Sequence, residues 1–133
     1  NKNIYLPVIH PFSKGHLLFL KYHHDTPMLT TRYGIQQPKL DVRLIQPIEK
    51  IDVMLTPLVA FDSLGNRLGM GGGFYDRTLT HWYQQNLLGL MTNPYPIGIA
   101  HDCQQVEKLP IEHWDIPLPE IITPSQKLQN LIK

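Results

Sequence analysis

Five of the nine residues from Gly65 to Gly73 are glycine, and Gly71-Gly72-Gly73 are consecutive. Glycine gives up more conformational freedom on folding than any other residue, about 0.5–1 kcal/mol relative to alanine. A triple glycine is therefore costly unless the backbone must take positive φ or lie very close to something. An apolar run, Ile51 to Phe61, leads into this stretch, and a segment with helical spacing, Gly73 to Asn86, leads out. Strand, glycine loop and helix start form an arrangement that presents free backbone N–H groups to an anion. Arg67 and Arg77 bracket the loop with positive charge, and Asp76 stands where it can hold a divalent cation. The residues thus read as a nucleotide phosphate-binding loop; the plainer alternative is a tight surface turn with helix-capping glycines. The loop is not the Walker pattern, because no Gly-Lys-Ser/Thr follows the glycines. Nor is it the dinucleotide fingerprint, since Phe74 stands where the last glycine belongs.

The rest of the chain sets bounds on this reading. At 133 residues it is long enough for one domain, residues 1–133, with a single core. No apolar run approaches a membrane span. A net charge of +1 argues against a dedicated nucleic-acid surface, which rests on clustered Lys and Arg. Cys103 is the only cysteine, so no internal disulfide is possible and a reducing, cytoplasmic setting is expected. No secretion signal is visible at the N-terminus.

In chain order, Asn3 to Ile9 and His16 to Tyr22 read as strands joined by a turn at Pro11 to Gly15. Leu17-Leu18-Phe19-Leu20 is apolar throughout, the pattern of a strand covered on both faces. His23-His24-Asp25 suggests a metal site, but adjacent strand side chains point to opposite faces, so solvated imidazoles are the plainer expectation. Residues 27–47 form the least regular part and read as a long loop with at most one helical turn. Ile51 to Phe61 reads as the central strand, with Pro57 marking its end or a bulge. Phe74, Thr78, Leu79 and Trp82 form a helical stripe facing the sheet, with Trp82 in the core. Pro96 to Ala100 is a short strand ending at His101-Asp102. That pair invites a general-base reading, although neighbours rarely pair in that way and a polar strand end is the alternative. Val106 to His113 reads as a short helical segment and Glu120 to Thr123 as a last strand. Thr123 then caps a helix that has Pro124 at its first position. Strands alternating with helices imply a three-layer α/β/α domain with a largely parallel sheet, whose ligands gather at the carboxyl ends of the strands.

Gly65-Asn66-Arg67-Leu68-Gly69-Met70-Gly71-Gly72-Gly73-Phe74-Tyr75-Asp76-Arg77 resembles the signature of the 5-formyltetrahydrofolate cyclo-ligases, also called methenyltetrahydrofolate synthetases. The resemblance extends to Tyr33-Gly34-Ile35-Gln36-Gln37-Pro38, to the Asp52 to Asp62 approach, to Ile97-Gly98-Ile99-Ala100-His101-Asp102, and to Trp114 through Pro124, covering nearly the whole chain. It implies a fold related to the sugar-phosphate isomerase and CoA-transferase superfamily. The implied reaction is ATP- and Mg²⁺-dependent closure of 5-formyltetrahydrofolate to 5,10-methenyltetrahydrofolate, with the folate as the small-molecule partner; a monomer is expected. Carried over residue by residue, the resemblance makes Arg67 and Asp76 the candidate catalytic residues. It gives Arg67, Leu68, Gly69, Met70, Gly71, Gly72, Gly73, Phe74 and Tyr75 to the nucleotide. Tyr33 and Met70 to Phe74 fall to the folate, and Asp76 and Asp115 to the metal. Where some members carry a basic residue among these glycines, this chain has Met70 and Gly72, with Arg77 the nearest substitute. Members also carry an N-terminal helical region ahead of the point matched by Asn1. A chain without it leaves a second expectation open, a non-catalytic nucleotide- or folate-binding remnant. A third is a sugar-phosphate or CoA-handling enzyme on the same fold.

Overall fold

A computed structural model describes residues 2–132. Asn1 and Lys133, the ends of the expected domain, lie outside the described residues. The strands are β1 (Ile4–Ile9), β2 (Leu17–Tyr22), β3 (Met28–Thr30), β4 (Gln36–Pro38), β5 (Ile45–Gln46), β6 (Val53–Thr56), β7 (Ala60–Phe61), β8 (Arg67–Leu68), β9 (Tyr95–Ile99), β10 (Ile121–Ile122) and β11 (Lys127–Leu128). Helix α1 (Phe74–Leu87) lies between β8 and β9.

Two sheets carry most of the pairing. One is antiparallel, ordered β1-β2-β5, with Ile4 opposite Tyr22 and Ile9 opposite Leu17. The other, ordered β11-β10-β9-β6, is mixed: β6, β9 and β10 run parallel, and β11 turns back antiparallel. The architecture is α/β with mixed sheets, so the expectation of a largely parallel sheet holds only for the β6-β9-β10 core. Period-2 alternation explains how that core is faced. Met54, Thr56, Gly98 and Ile121 are buried and point to the side where α1 lies. Leu79 and Trp82 of α1 join them in one apolar cluster with Phe19, Phe61 and Leu118. Trp82 is only 4% exposed, as its place on the helical stripe requires. The opposite side of the sheet shows Val53, Leu55, Tyr95 and Ile99 to solvent.

Several expectations change. The run from Ile51 to Phe61 is not one central strand. Pro57 ends β6, which is the edge of its sheet among the described residues, and Ala60–Phe61 leaves to pair with Arg67–Leu68. A proline cannot donate to a ladder, so the break falls where the sequence marks it. The region 27–47 is more regular than a loop. It holds the β3–β4 hairpin and a 3₁₀ turn at Val42–Leu44 capped by the Asp41 side chain. Its apolar alternation is too short to stand out from irregular sequence. Residues 106–113 form no helix among the described residues. Their start is instead tied to β7, through Val106 N–H donating to the Phe61 carbonyl at 2.8 Å. Thr123 caps no helix. Its N–H bonds the Gln126 carbonyl and its hydroxyl accepts the Gln126 N–H, closing a tight β10–β11 turn.

Candidate active site

The glycine stretch folds in two parts. The first half is a β-hairpin turn built on Asp62. Its carboxylate accepts the Leu64 N–H (3.0 Å), the Asn66 N–H (3.1 Å), the Asn66 side-chain amide (3.1 Å) and, from across the chain, the Leu109 N–H (3.1 Å). Gly65 takes φ +86°, and a Cβ there would lie 2.3 Å from the Leu118 carbonyl oxygen. This part of the stretch is the tight turn of the plainer alternative. Its product is the placement of Arg67 on β8.

The second half is the loop proper. Gly71 takes φ +94°, while Gly73 takes φ +69° and caps α1 with no side-chain hydrogen bond. The first-turn N–H groups of a helix have no partner within it, so those of Phe74, Tyr75 and Asp76 sit at a positive helix end. Arg77, exposed at the mouth of the loop, is tied back to backbone. Its Nη1 donates to the Gly72 carbonyl at 2.6 Å and to the Gly15 carbonyl at 3.2 Å, fastening the loop to the β1–β2 turn.

Arg67 and Asp76 meet across the loop. Arg67 Nη1 lies 3.2 Å from Asp76 Oδ1, with side-chain exposures of 5% and 18%. The same Oδ1 accepts the Ile116 N–H at 3.0 Å, leaving Oδ2 without a hydrogen bond from the described residues. Arg67 Nε also reaches the Pro57 carbonyl at the carboxyl end of β6, at 3.4 Å. Burial lowers the Arg67 pKa, and the negative charges of Asp76 and Asp115 and the Tyr75 ring oppose that shift. A guanidinium so placed stays charged. The Tyr75 ring lies 5.8 Å from the guanidinium carbon, and its hydroxyl pKa is raised by burial. Asp115 accepts the Glu112 N–H through Oδ2 at 2.8 Å, and its neighbour Ile116 binds Asp76. Of the two carboxylates expected to hold metal, Asp76 pairs with the buried arginine and Asp115 stands next in sequence to the Ile116 N–H that binds Asp76.

A cleft of about 370 Å³ opens here, lined by Gly71, Gly72, Gly73, Asp76, Arg77, Thr80 and Trp114. Leu68, Met70 and Phe74 are neighbours of these residues in the chain but not part of the lining, and Met70 is almost fully exposed. Gly69 packs on Arg67, where a Cβ would lie 3.3 Å from Nη2. Tyr33 is not brought to the cleft lining. It sits exposed in the β3–β4 connection, its hydroxyl accepting from Arg32 at 2.8 Å. Sequence reasoning missed Trp114 and Thr80. Thr80 lies one helical turn after Asp76, a spacing that identifies a shared face. Trp114 adjoins Asp115 in sequence but carries no local signal of its own.

His101 and Asp102 form no catalytic pair. The Asp102 carboxylate accepts from the Thr123 and Ser125 hydroxyls, which hold its pKa below the ordinary carboxylate value. His101 and Gln104 instead cap a 3₁₀ turn reciprocally, with the His101 N–H 2.7 Å from Gln104 Oε1. The polar strand end is the correct reading. A second cleft, about 410 Å³ and mostly apolar, lies beside them at the ends of β9 and β10. Among the described residues no three His, Cys, Asp or Glu side chains cluster as a metal site, His23-His24-Asp25 included.

Comparison with known proteins decides the family. The model of the 5-formyltetrahydrofolate cyclo-ligase family matches residues 1–124. The chain belongs to the 5-formyltetrahydrofolate cyclo-ligase family. It is 57% identical over 125 residues to the 5-formyltetrahydrofolate cyclo-ligase of Escherichia coli, covering 94% of this chain and 65% of that protein. To that of Haemophilus influenzae it is 56% identical over 122 residues, covering 92% and 62%. The chain thus spans just under two thirds of the length of these relatives. An NMR structure of 5,10-methenyltetrahydrofolate synthetase from Aquifex aeolicus aligns with a TM-score of 0.72 at 28% identity, over 99% of this chain and 60% of that one.

Proposed function

We propose that this chain carries the nucleotide and metal end of a ligase that closes 5-formyltetrahydrofolate to 5,10-methenyltetrahydrofolate, consuming ATP. The observation that carries the reading is the buried Arg67–Asp76 pair set against a glycine loop and a free helix N-terminus in one cleft. In the reaction the formyl oxygen attacks the γ-phosphorus, an O–P bond forms, and ADP leaves. N10 then attacks the formyl carbon and gives up its proton. The C–O bond breaks, and the former formyl oxygen departs in inorganic phosphate.

Such phosphoryl transfer depends on positioning and on cancelling charge around the transferring group. Backbone N–H groups from Gly71 through Phe74 are the phosphate donors in this reading, with Leu68, Gly69, Met70 and Tyr75 shaping the loop around them. Arg67, fixed by Asp76 and Pro57, supplies a charge whose position is set before substrate arrives. Mg²⁺ takes hard oxygen ligands and keeps several waters, so one or two carboxylates suffice. The uncommitted oxygens of Asp76 and Asp115 fit that demand, and a bound Mg²⁺ would neutralise phosphate charge there. Tyr33, exposed in the β3–β4 connection, belongs to the folate pocket in this reading.

Turnover of 5-formyltetrahydrofolate, followed by methenyl absorbance, tests the proposal. Wild type is expected to need both Mg²⁺ and ATP. Asp76→Asn keeps an acceptor for the Ile116 N–H but removes the charge, and is expected to lower kcat about 100-fold. ATP and folate binding without turnover in wild type would favour the non-catalytic remnant instead.

The finer architecture belongs here as well. A three-layer α/β/α sandwich over one domain is supported by the apolar face left open on the β6-β9-β10 sheet, which a second helical layer would cover. A reducing cytoplasmic setting and a monomeric state complete the reading. Among the described residues no helix is long and apolar enough to cross a membrane.

A further inference from the structure

We propose that Trp114 is the platform on which the pterin ring of the folate substrate lies during ring closure; this rests on the cyclo-ligase reading above. Trp114 is 58% exposed, whereas the chain's other tryptophan, Trp82, is buried in the core. An indole so placed offers a broad flat apolar face to a ring laid against it. Four contacts fix its position. The Glu112–Asp115 turn is closed twice, by Glu112 N–H to Asp115 Oδ2 and by Asp115 N–H to the Glu112 carbonyl. Ile116 N–H then pins the turn to Asp76 at the head of α1. His113 packs edge-to-face with the indole, centroids 4.8 Å apart at 77°. The ring is thereby held at the wall of the cleft that contains Asp76 and Gly71 to Gly73, and it is the one aromatic side chain lining that cleft among the described residues.

The chemistry chooses between two flat ligands. The reacting formyl group is bonded directly to the pterin, so that ring must lie within a few bonds of the γ-phosphate. Adenine is separated from the γ-phosphate by a ribose and two phosphates. An aromatic wall beside the carboxylate and glycine loop that receive the transferring phosphate therefore meets the pterin.

Calorimetric titration of the protein with 5-formyltetrahydrofolate and, separately, with Mg-ATP tests this in wild type, Trp114→Ala and Trp114→Phe. Loss of one stacked ring costs enough to weaken binding about ten-fold or more. Trp114→Ala is expected to show that loss for the folate alone, and Trp114→Phe to recover most of it, both with unchanged melting temperature. Folate affinity undiminished in Trp114→Ala overturns the platform, as does a loss confined to Mg-ATP. Wild type that binds Mg-ATP but no folate overturns the cyclo-ligase reading itself, and the platform with it.

Discussion

Four N–H donors converge on the Asp62 carboxylate, which is 1% exposed and sits between β7 and the turn that delivers Arg67. Burial pushes its pKa up, but the Asn66 side chain and the Leu109, Leu64 and Asn66 amides together outweigh burial, leaving it below the ordinary value. A carboxylate with a depressed folded pKa adds stability above its unfolded pKa, about 3.9, and loses it as pH falls through the folded value. Asp41 is also held low, at about 2, by hydrogen bonds from Arg43, but that partner is 84% exposed, and such surface pairing contributes little. Asp62→Asn turns a nitrogen toward donors that expect an oxygen and is expected to cost about 1–3 kcal/mol near neutral pH. Urea titrations from pH 7 down to pH 2 should show the gap between wild type and variant closing below about pH 4. A gap that stays constant over that range would refute the ionised-hub account.

At the scale of elements, the glycines divide into two kinds that sequence does not distinguish. Gly65 faces the Leu118 backbone, which cannot yield, and Leu118 N–H donates to the Gly65 carbonyl at 2.7 Å. Gly71 has comparable φ but nothing within 4 Å of a built Cβ. Gly65→Ala therefore combines left-handed strain with a backbone clash, together about 3 kcal/mol, whereas Gly71→Ala carries strain alone, about 1 kcal/mol. Chemical denaturation should rank them in that order. Mg-ATP affinity should show the reverse, Gly71→Ala losing more in fluorescence or calorimetric titration, because in the proposed reading its open side faces the phosphates. Equal stability costs would mean that the Gly65–Leu118 approach relaxes.

For the molecule as a whole, the mixed sheet has α1 and the main core on one face and exposed aliphatic side chains on the other. Contiguous exposed apolar surface on a sheet marks a place where something binds. Leu55, 63% exposed on β6 at the edge of that face, contributes little to the core. Leu55→Lys is expected to change stability by less than about 0.5 kcal/mol while clearly reducing binding of a hydrophobic dye such as ANS. A large loss of stability in Leu55→Lys would show that the face is packed rather than open.

The sequence by itself determined the loop, its helix and the family. The triple glycine, the flanking arginines and the stripe ending at Trp82 are local signals, because glycine conformation and helical period are properties of neighbours along the chain. The hairpin β1–β2 was legible for the same reason. What the tertiary structure alone decided is everything that needs two distant segments. Ile51 to Phe61 divides between two sheets, since Phe61 finds Arg67 and Gln105 rather than β9. Residues 106–113 stay out of a helix because Phe61 and Asp62 take their backbone N–H groups at Val106 and Leu109. The site itself is a meeting of Arg67, Asp76 and the Trp114–Ile116 turn, as many as 49 positions apart by subtraction (116 − 67). No sequence period connects residues so far apart; burial of Arg67 beside a carboxylate does, because a buried charge requires a partner wherever the chain can supply one.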